Sequence, residues 1–188
     1  MTLVVANSGA VSKPFLERIH LVQGDICAQE VDAICMVIPK NLDFSGKINE
    51  SINMACGYDL DEFILDNIYK PRTGDVYALP ATGLAARHIF VGIMPRYRTE
   101  FDMKDSDLAQ VTRRMMELAR CMLLKSIAFP PMASGKGVFP KPKAARLIVQ
   151  GITDRMEETI EDVHLVCNSA EVAEVFDRKL RVIGWEGG

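Results

Sequence analysis

The stretch Val31 to Ile38 constrains this chain most: it is an almost continuous apolar run, interrupted only by Asp32 and closed by Pro39. A strand with one solvated face would alternate apolar and polar residues. A run that does not alternate reads as a central strand covered on both sides. Such a strand needs helices above and below it, and the remaining sequence supplies alternating strand-like and helix-like segments.

Arg18 to Val22 alternates and is broken by Gly24-Asp25. Ile48 to Cys56 and Leu60 to Ile68 have helical spacing, separated by Gly57-Tyr58-Asp59 and followed by Pro71. Val76 to Leu79 and His88 to Met94 read as strands, with the turn residues Pro80 to Gly83 between them. Leu108, Val111, Met115, Leu118 and Met122 recur in steps of three and four, which predicts a helix with one apolar stripe and methionine as core filler. Ser126 to Pro130 is a short strand entering a glycine loop. Pro140 to Met156 reads as a helix whose prolines sit in the first turn. Val163 to Cys167 is a strand, Ala170 to Leu180 an amphipathic helix, and Arg181 to Ile183 a short run before a Gly-rich tail. Strands separated by helices imply a mixed, mostly parallel central sheet between two helical layers, a three-layer α/β/α sandwich. The expected organisation is an N-terminal extension over 1–17, with an added strand suggested by Thr2 to Val5, one domain over 18–183, and a flexible tail over 184–188.

A chain of 188 residues with 48% hydrophobic and 25% charged residues suits one well-filled domain. Its formal net charge of −3 argues against a broad nucleic-acid surface. The five cysteines are scattered without the spacing of a zinc or redox motif, and read as reduced thiols. His20, His88 and His164 are isolated from one another and read as packed or surface imidazoles. No metal and no cofactor is expected. No apolar stretch reaches membrane-spanning length and no targeting signal is visible, so the expected address is the cytoplasm.

Two segments carry chemistry. Gly24-Asp25-Ile26 follows a strand, and a carboxylate there could accept a hydrogen bond from an exocyclic amine such as that of adenine. The same aspartate also reads as an N-cap or turn residue. Ala133 to Pro140, reading Ala-Ser-Gly-Lys-Gly-Val-Phe-Pro, lies between a buried strand and a helix start. Its glycines allow close backbone approach to an anion, and the helix N-terminus adds partial positive charge. Lys136, Lys141, Lys143 and Arg146 make the neighbourhood cationic. The alternative is an ordinary turn beside a solvated basic helix. It is not a Walker loop, because the Gly-Lys-Ser/Thr ending is missing.

In order and spacing these pieces resemble the macro domain family, the ADP-ribose-binding, Appr-1″-p processing type. The resemblance runs from about Arg18 to Leu180. Its anchors are Val22 to Ile26, Val31 to Ile34, Ile48 to Gly57, Thr73-Gly74-Asp75, the His88 to Pro95 strand, and Ser126 to Pro140. It implies ADP-ribose or an ADP-ribosylated protein as partner. The implied ligand-binding set is Asp25 and Ile26 at adenine, Gly46, Lys47 and Ile48 in the first glycine loop, Ser134, Gly135, Lys136, Gly137, Val138 and Phe139 around the diphosphate, and Asn168 where an aromatic often stacks on adenine.

The chain is a divergent member by this reading. Pro39 occupies the place of the asparagine that contacts the distal ribose, and proline offers no side-chain donor or acceptor. Asn49 replaces the carboxylate usually assigned to activating water or substrate, and a carboxamide cannot act as a general base. Gly137 stands where an aromatic usually covers the ribose, and Val138 where a glycine would be. The expectation is a binding module without efficient hydrolysis. One alternative is an ADP-ribosyl or ADP-ribose ester hydrolase with rearranged residues, Asp43 and Lys47 being weak catalytic candidates against a reading as solvated loop charges. Another is a degenerate fold serving protein interaction.

Overall fold

The structure is a computed structural model that describes residues 13–99, 102–134 and 138–188. Its strands are β1 (Ile19–Gln23), β2 (Ala33–Pro39), β3 (Val76–Pro80), β4 (His88–Met94), β5 (Ser126–Phe129) and β6 (Asp162–Cys167). The added strand expected at Thr2 to Val5 lies outside the described residues. The six strands form one sheet in the order β1-β6-β5-β2-β4-β3. Only β3, at one edge, runs antiparallel to its neighbour; every other pairing is parallel.

The apolar run at β2 behaves as a strand covered twice. Ala33 and Cys35 point into one core, while Ile34, Met36 and Ile38 point into the other, the period-two alternation of a pleated strand. Helices α1 (Lys47–Ala55) and α2 (Leu60–Asn67) supply Ile52, Leu60 and Ile64 to the second core. Helices α3 (Asp105–Cys121), α4 (Lys141–Thr153) and α5 (Ala170–Val182) supply Leu108, Met115, Ile148, Phe176 and Leu180 to the first. Each such side chain removed from water contributes about 1.5–3 kcal/mol. The result is the three-layer α/β/α sandwich expected from the alternation of elements.

Helix starts follow their local sequence. Asp59 accepts from the Glu62 amide at 3.1 Å to cap α2, and Ser169 accepts from the Val172 amide at 3.3 Å to cap α5. Where α3 crosses α4, a Cβ added at Gly151 would meet the Ala109 carbonyl oxygen at 2.8 Å and Thr112 Cβ at 2.6 Å. Only glycine permits that approach.

Three expectations are corrected. The run Arg181 to Ile183 is not separate: α5 continues through Val182. The tail over 184–188 is anchored, because Trp185 is buried and its Nε1 donates to the Ile19 carbonyl at 2.9 Å. His20 and His164 are not isolated, since parallel pairing places them directly opposite each other on β1 and β6. Their rings meet edge to face at 5.8 Å.

Candidate functional site

Because β1, β6, β5, β2 and β4 are mutually parallel, their carboxyl ends share one edge of the sheet. The segments leaving Gln23, Pro39, Met94, Phe129 and Cys167 therefore gather there, where open α/β sheets place ligands. This topology brings together Asp25, the 40–47 loop, the described ends of the loop after β5 (130–134 and 138–140) and Asn168.

Asp25 opens a short 3-10 helix (Ile26–Ala28), its Oδ1 accepting from the Cys27 amide at 2.9 Å. The residue is exposed, and a carboxylate has about four lone-pair sites, so capping leaves acceptor capacity toward solvent. Both sequence readings of Asp25 are thus compatible in one side chain. Ile26, by contrast, is buried in the α1–α2 core, so any ligand contact there falls to its backbone. Beside them, burial and the neighbouring Asp25 charge push the Cys27 thiol up to about 12, leaving it unreactive at neutral pH.

At the start of α1, Gly46 has φ of 102° and serves as N-cap without a side chain, a left-handed conformation suited to glycine. Lys47 and Asp43 are exposed, and Ile48 is half-buried against the core with Leu42 and Phe44. Asn49 is buried, and its Nδ2 donates to the carbonyls of Val37 at 3.0 Å and Ser45 at 3.1 Å. The carboxamide is engaged in holding the helix to β2. Pro39 ends β2, its carbonyl accepting from the Leu42 amide at 2.8 Å.

The loop after β5 is pinned at its base. Ala133 has φ of 51°, Ser134 bridges to Phe139, and the Ser134 hydroxyl donates to the Pro131 carbonyl at 2.7 Å. Gly135, Lys136 and Gly137 lie outside the described residues, and Val138 is half-buried. Phe139, expected in the ligand set, has a completely buried side chain that packs against Tyr97 at 5.8 Å, so any ligand contact there falls to its backbone. It anchors the loop in the core. Of the cationic neighbourhood, Lys141 pairs with Glu171, while Lys143 and Arg146 share Asp105, so three positive charges meet two carboxylates. Asn168 is exposed directly after β6.

One feature of this edge escaped the sequence reading. Gln29 Nε2 donates to the Asp25 carbonyl at 3.0 Å, and Gln29 Oε1 faces His164 Nδ1 at 2.9 Å. These groups are 135 residues apart in the chain, and no local motif signals their meeting. Among the described residues, no group of three or more His, Cys, Asp or Glu side chains could hold a metal ion, and no helix is long and apolar enough to cross a membrane.

A three-layer sandwich around a parallel-dominated sheet is the architecture of macro domains. The Macro domain family model matches residues 39–148, and the chain belongs to that family. It is 28% identical over 168 residues to a Salmonella newport protein named O-acetyl-ADP-ribose deacetylase, covering 87% of this chain and 94% of that one. A solved macrodomain from Oceanobacillus iheyensis is 25% identical with a TM-score of 0.76, covering 87% of this chain and 90% of that one. A Trypanosoma brucei macrodomain solved with ADP-ribose shares the fold, with a TM-score of 0.74 at 18% identity, over 92% of this chain and 71% of that one.

Proposed function

We propose that this protein binds ADP-ribose, or a related nucleotide diphosphate, free or carried on a modified protein, and that it hydrolyses such ligands poorly. The observation that carries the reading is the convergence of Asp25, the Gly46 cap of α1, the Ser134 and Phe139 base of the loop after β5, and Asn168 on one sheet edge. It occurs in a family whose Trypanosoma brucei member was solved with ADP-ribose. Asp25 takes the purine amine with the acceptor capacity that capping leaves over. Backbone amides of the loop after β5 take the diphosphate. Asn49 cannot act as a base, because it has no titratable group and its amide is bonded to two carbonyls. Loss of a positioned general base costs about 10²–10⁴ in rate.

Calorimetric titration with ADP-ribose, AMP and adenosine tests the proposal. Micromolar binding that requires the diphosphate is expected. Absence of heat and of any thermal shift at millimolar ADP-ribose would reject it. That outcome would favour the interaction-module reading, for which light scattering gives the association state.

The deacetylase name of the Salmonella newport relative favours a second reading, hydrolysis by rearranged residues. Asp43 and Lys47 flank the Gly46 cap and are exposed to a ligand there. Turnover of O-acetyl-ADP-ribose or release of ADP-ribose from modified protein, abolished by Asp43→Ala or Lys47→Ala, would establish it.

A further inference from the structure

The turn that carries Asp25 is intrinsically weak. It is a single 3-10 turn whose backbone bonds, Ala28 amide to Asp25 carbonyl and Gln29 amide to Ile26 carbonyl, measure 3.2 and 3.4 Å, and such turns have poor hydrogen-bond geometry. Two contacts to β6 hold it. At one end, the Gly24 amide donates to the Cys167 carbonyl at 2.9 Å. At the other, the Gln29 side chain bridges the Asp25 carbonyl and His164.

The chemistry of that bridge fixes its orientation. The end of Gln29 facing the Asp25 carbonyl must be the amide nitrogen, since two carbonyl oxygens would repel. Its Oε1 therefore faces His164, and His164 must carry a proton on Nδ1 to donate to it. The His164 imidazole packs at right angles to the His20 ring, which is itself held by Asp162 through Nε2 at 3.2 Å. The Asp25 carboxylate has one oxygen committed to the Cys27 amide, so the direction of its remaining lone pairs follows the turn.

We infer that Gln29 and His164 are positioning residues that aim the Asp25 carboxylate at the base of the bound nucleotide; this rests on the nucleotide-binding reading above. They set preference for a base bearing an exocyclic amine without touching the ligand. A recognition group displaced by about 1 Å loses most of its discrimination.

The test compares dissociation constants for ADP-ribose and for its inosine analogue, which has a carbonyl in place of the adenine amine. The proteins are the unaltered chain, Gln29→Glu, His164→Leu and His164→Asn. Gln29→Glu keeps size and the acceptor toward His164 but loses the donor to Asp25. His164→Asn places an amide nitrogen where Nδ1 lies and retains the donor. The unaltered protein is expected to prefer ADP-ribose by about tenfold or more, as for a hydrogen bond to a charged group. Gln29→Glu and His164→Leu should bring the ratio close to one, and His164→Asn should restore it. General loss of stability would weaken both ligands together and leave the ratio unchanged. An unchanged ratio in Gln29→Glu and His164→Leu would overturn the inference, as would equal binding of both ligands by the unaltered protein. If the unaltered protein binds neither ligand, the nucleotide-binding reading itself fails and takes the inference with it.

Discussion

Asn49 donates its side-chain amide to the carbonyl of Val37 at 3.0 Å, tying the first turn of α1 to β2 two residues before the strand ends. The same nitrogen reaches the Ser45 carbonyl at 3.1 Å. A carboxylate offers no donor, so this tie is specific to the amide. The position that in the family resemblance holds the activating carboxylate works here as a structural fastener.

Asn49→Asp should therefore destabilise the fold. It removes two hydrogen bonds and sets a buried anion against two carbonyl oxygens, a loss of about 1–3 kcal/mol or more. A lower urea midpoint with an unchanged slope would verify it. Hydrolysis should not appear, because the introduced carboxylate lies at the end of a broken fastener. Stability equal to the unaltered chain would refute the structural role.

Acid should weaken the fold through His164. Burial first, and the facing His20 second, hold its pKa below the ordinary 6.5, while Asp162 pulls the other way; Gln29, its remaining polar neighbour, is uncharged. A base whose pKa is lowered by folding takes its proton more readily in the unfolded chain. This contribution is therefore complete above pH 6.5 and declines as pH falls below it, until the lower folded pKa is passed, with a slope of at most about 1.4 kcal/mol per pH unit. Urea midpoints between pH 8 and 5 measure the decline. His164→Asn should flatten it.

Gly151→Ala tests the α3–α4 crossing. Alanine gains about 1 kcal/mol of helix propensity over glycine. Against this, its Cβ would sit 2.8 Å from the Ala109 carbonyl oxygen and 2.6 Å from Thr112 Cβ, and overpacking costs about 1–3 kcal/mol. The second effect should win, because backbone must move. A net rise in melting temperature would contradict the close approach.

Trp185 separates packing from hydrogen bonding at the end of the chain. Trp185→Ala should cost about 3–5 kcal/mol. Trp185→Phe keeps much of the apolar area but leaves the Ile19 carbonyl without its donor, and should cost about 1–3 kcal/mol. Guanidinium denaturation of both variants would distinguish a packed residue from a loose tail, for which neither change would register.

The sandwich was legible because burial on both faces leaves a local trace: β2 is apolar at almost every position, and the helices keep their three-and-four spacing. The strand order left no such trace. Nothing near His20 announces His164, since their juxtaposition comes from β1 lying beside β6. Charge pairing left none for the same reason. Lys143 and Arg146 look free in the sequence, and their partner Asp105 stands on another helix. The burial of the Phe139 ring beneath its loop is set by Tyr97, far off in the sequence. Asp25 was legible as both cap and acceptor, and the structure accommodates both.

Since β1 has β6 as its only sheet neighbour among the described residues, the Asp25 turn has a history as well as a location. Its tether, His164, is made 135 residues after Gln29. At biosynthetic rates of about 5–20 residues per second, that delay is about 7–27 seconds. Until then β1 has no described mate, and a chain cut short before β6 carries the Asp25 turn without either of its ties to β6. The order of the Asp25 turn is then completed only when β6 joins the sheet, which makes that turn a reporter of sheet closure.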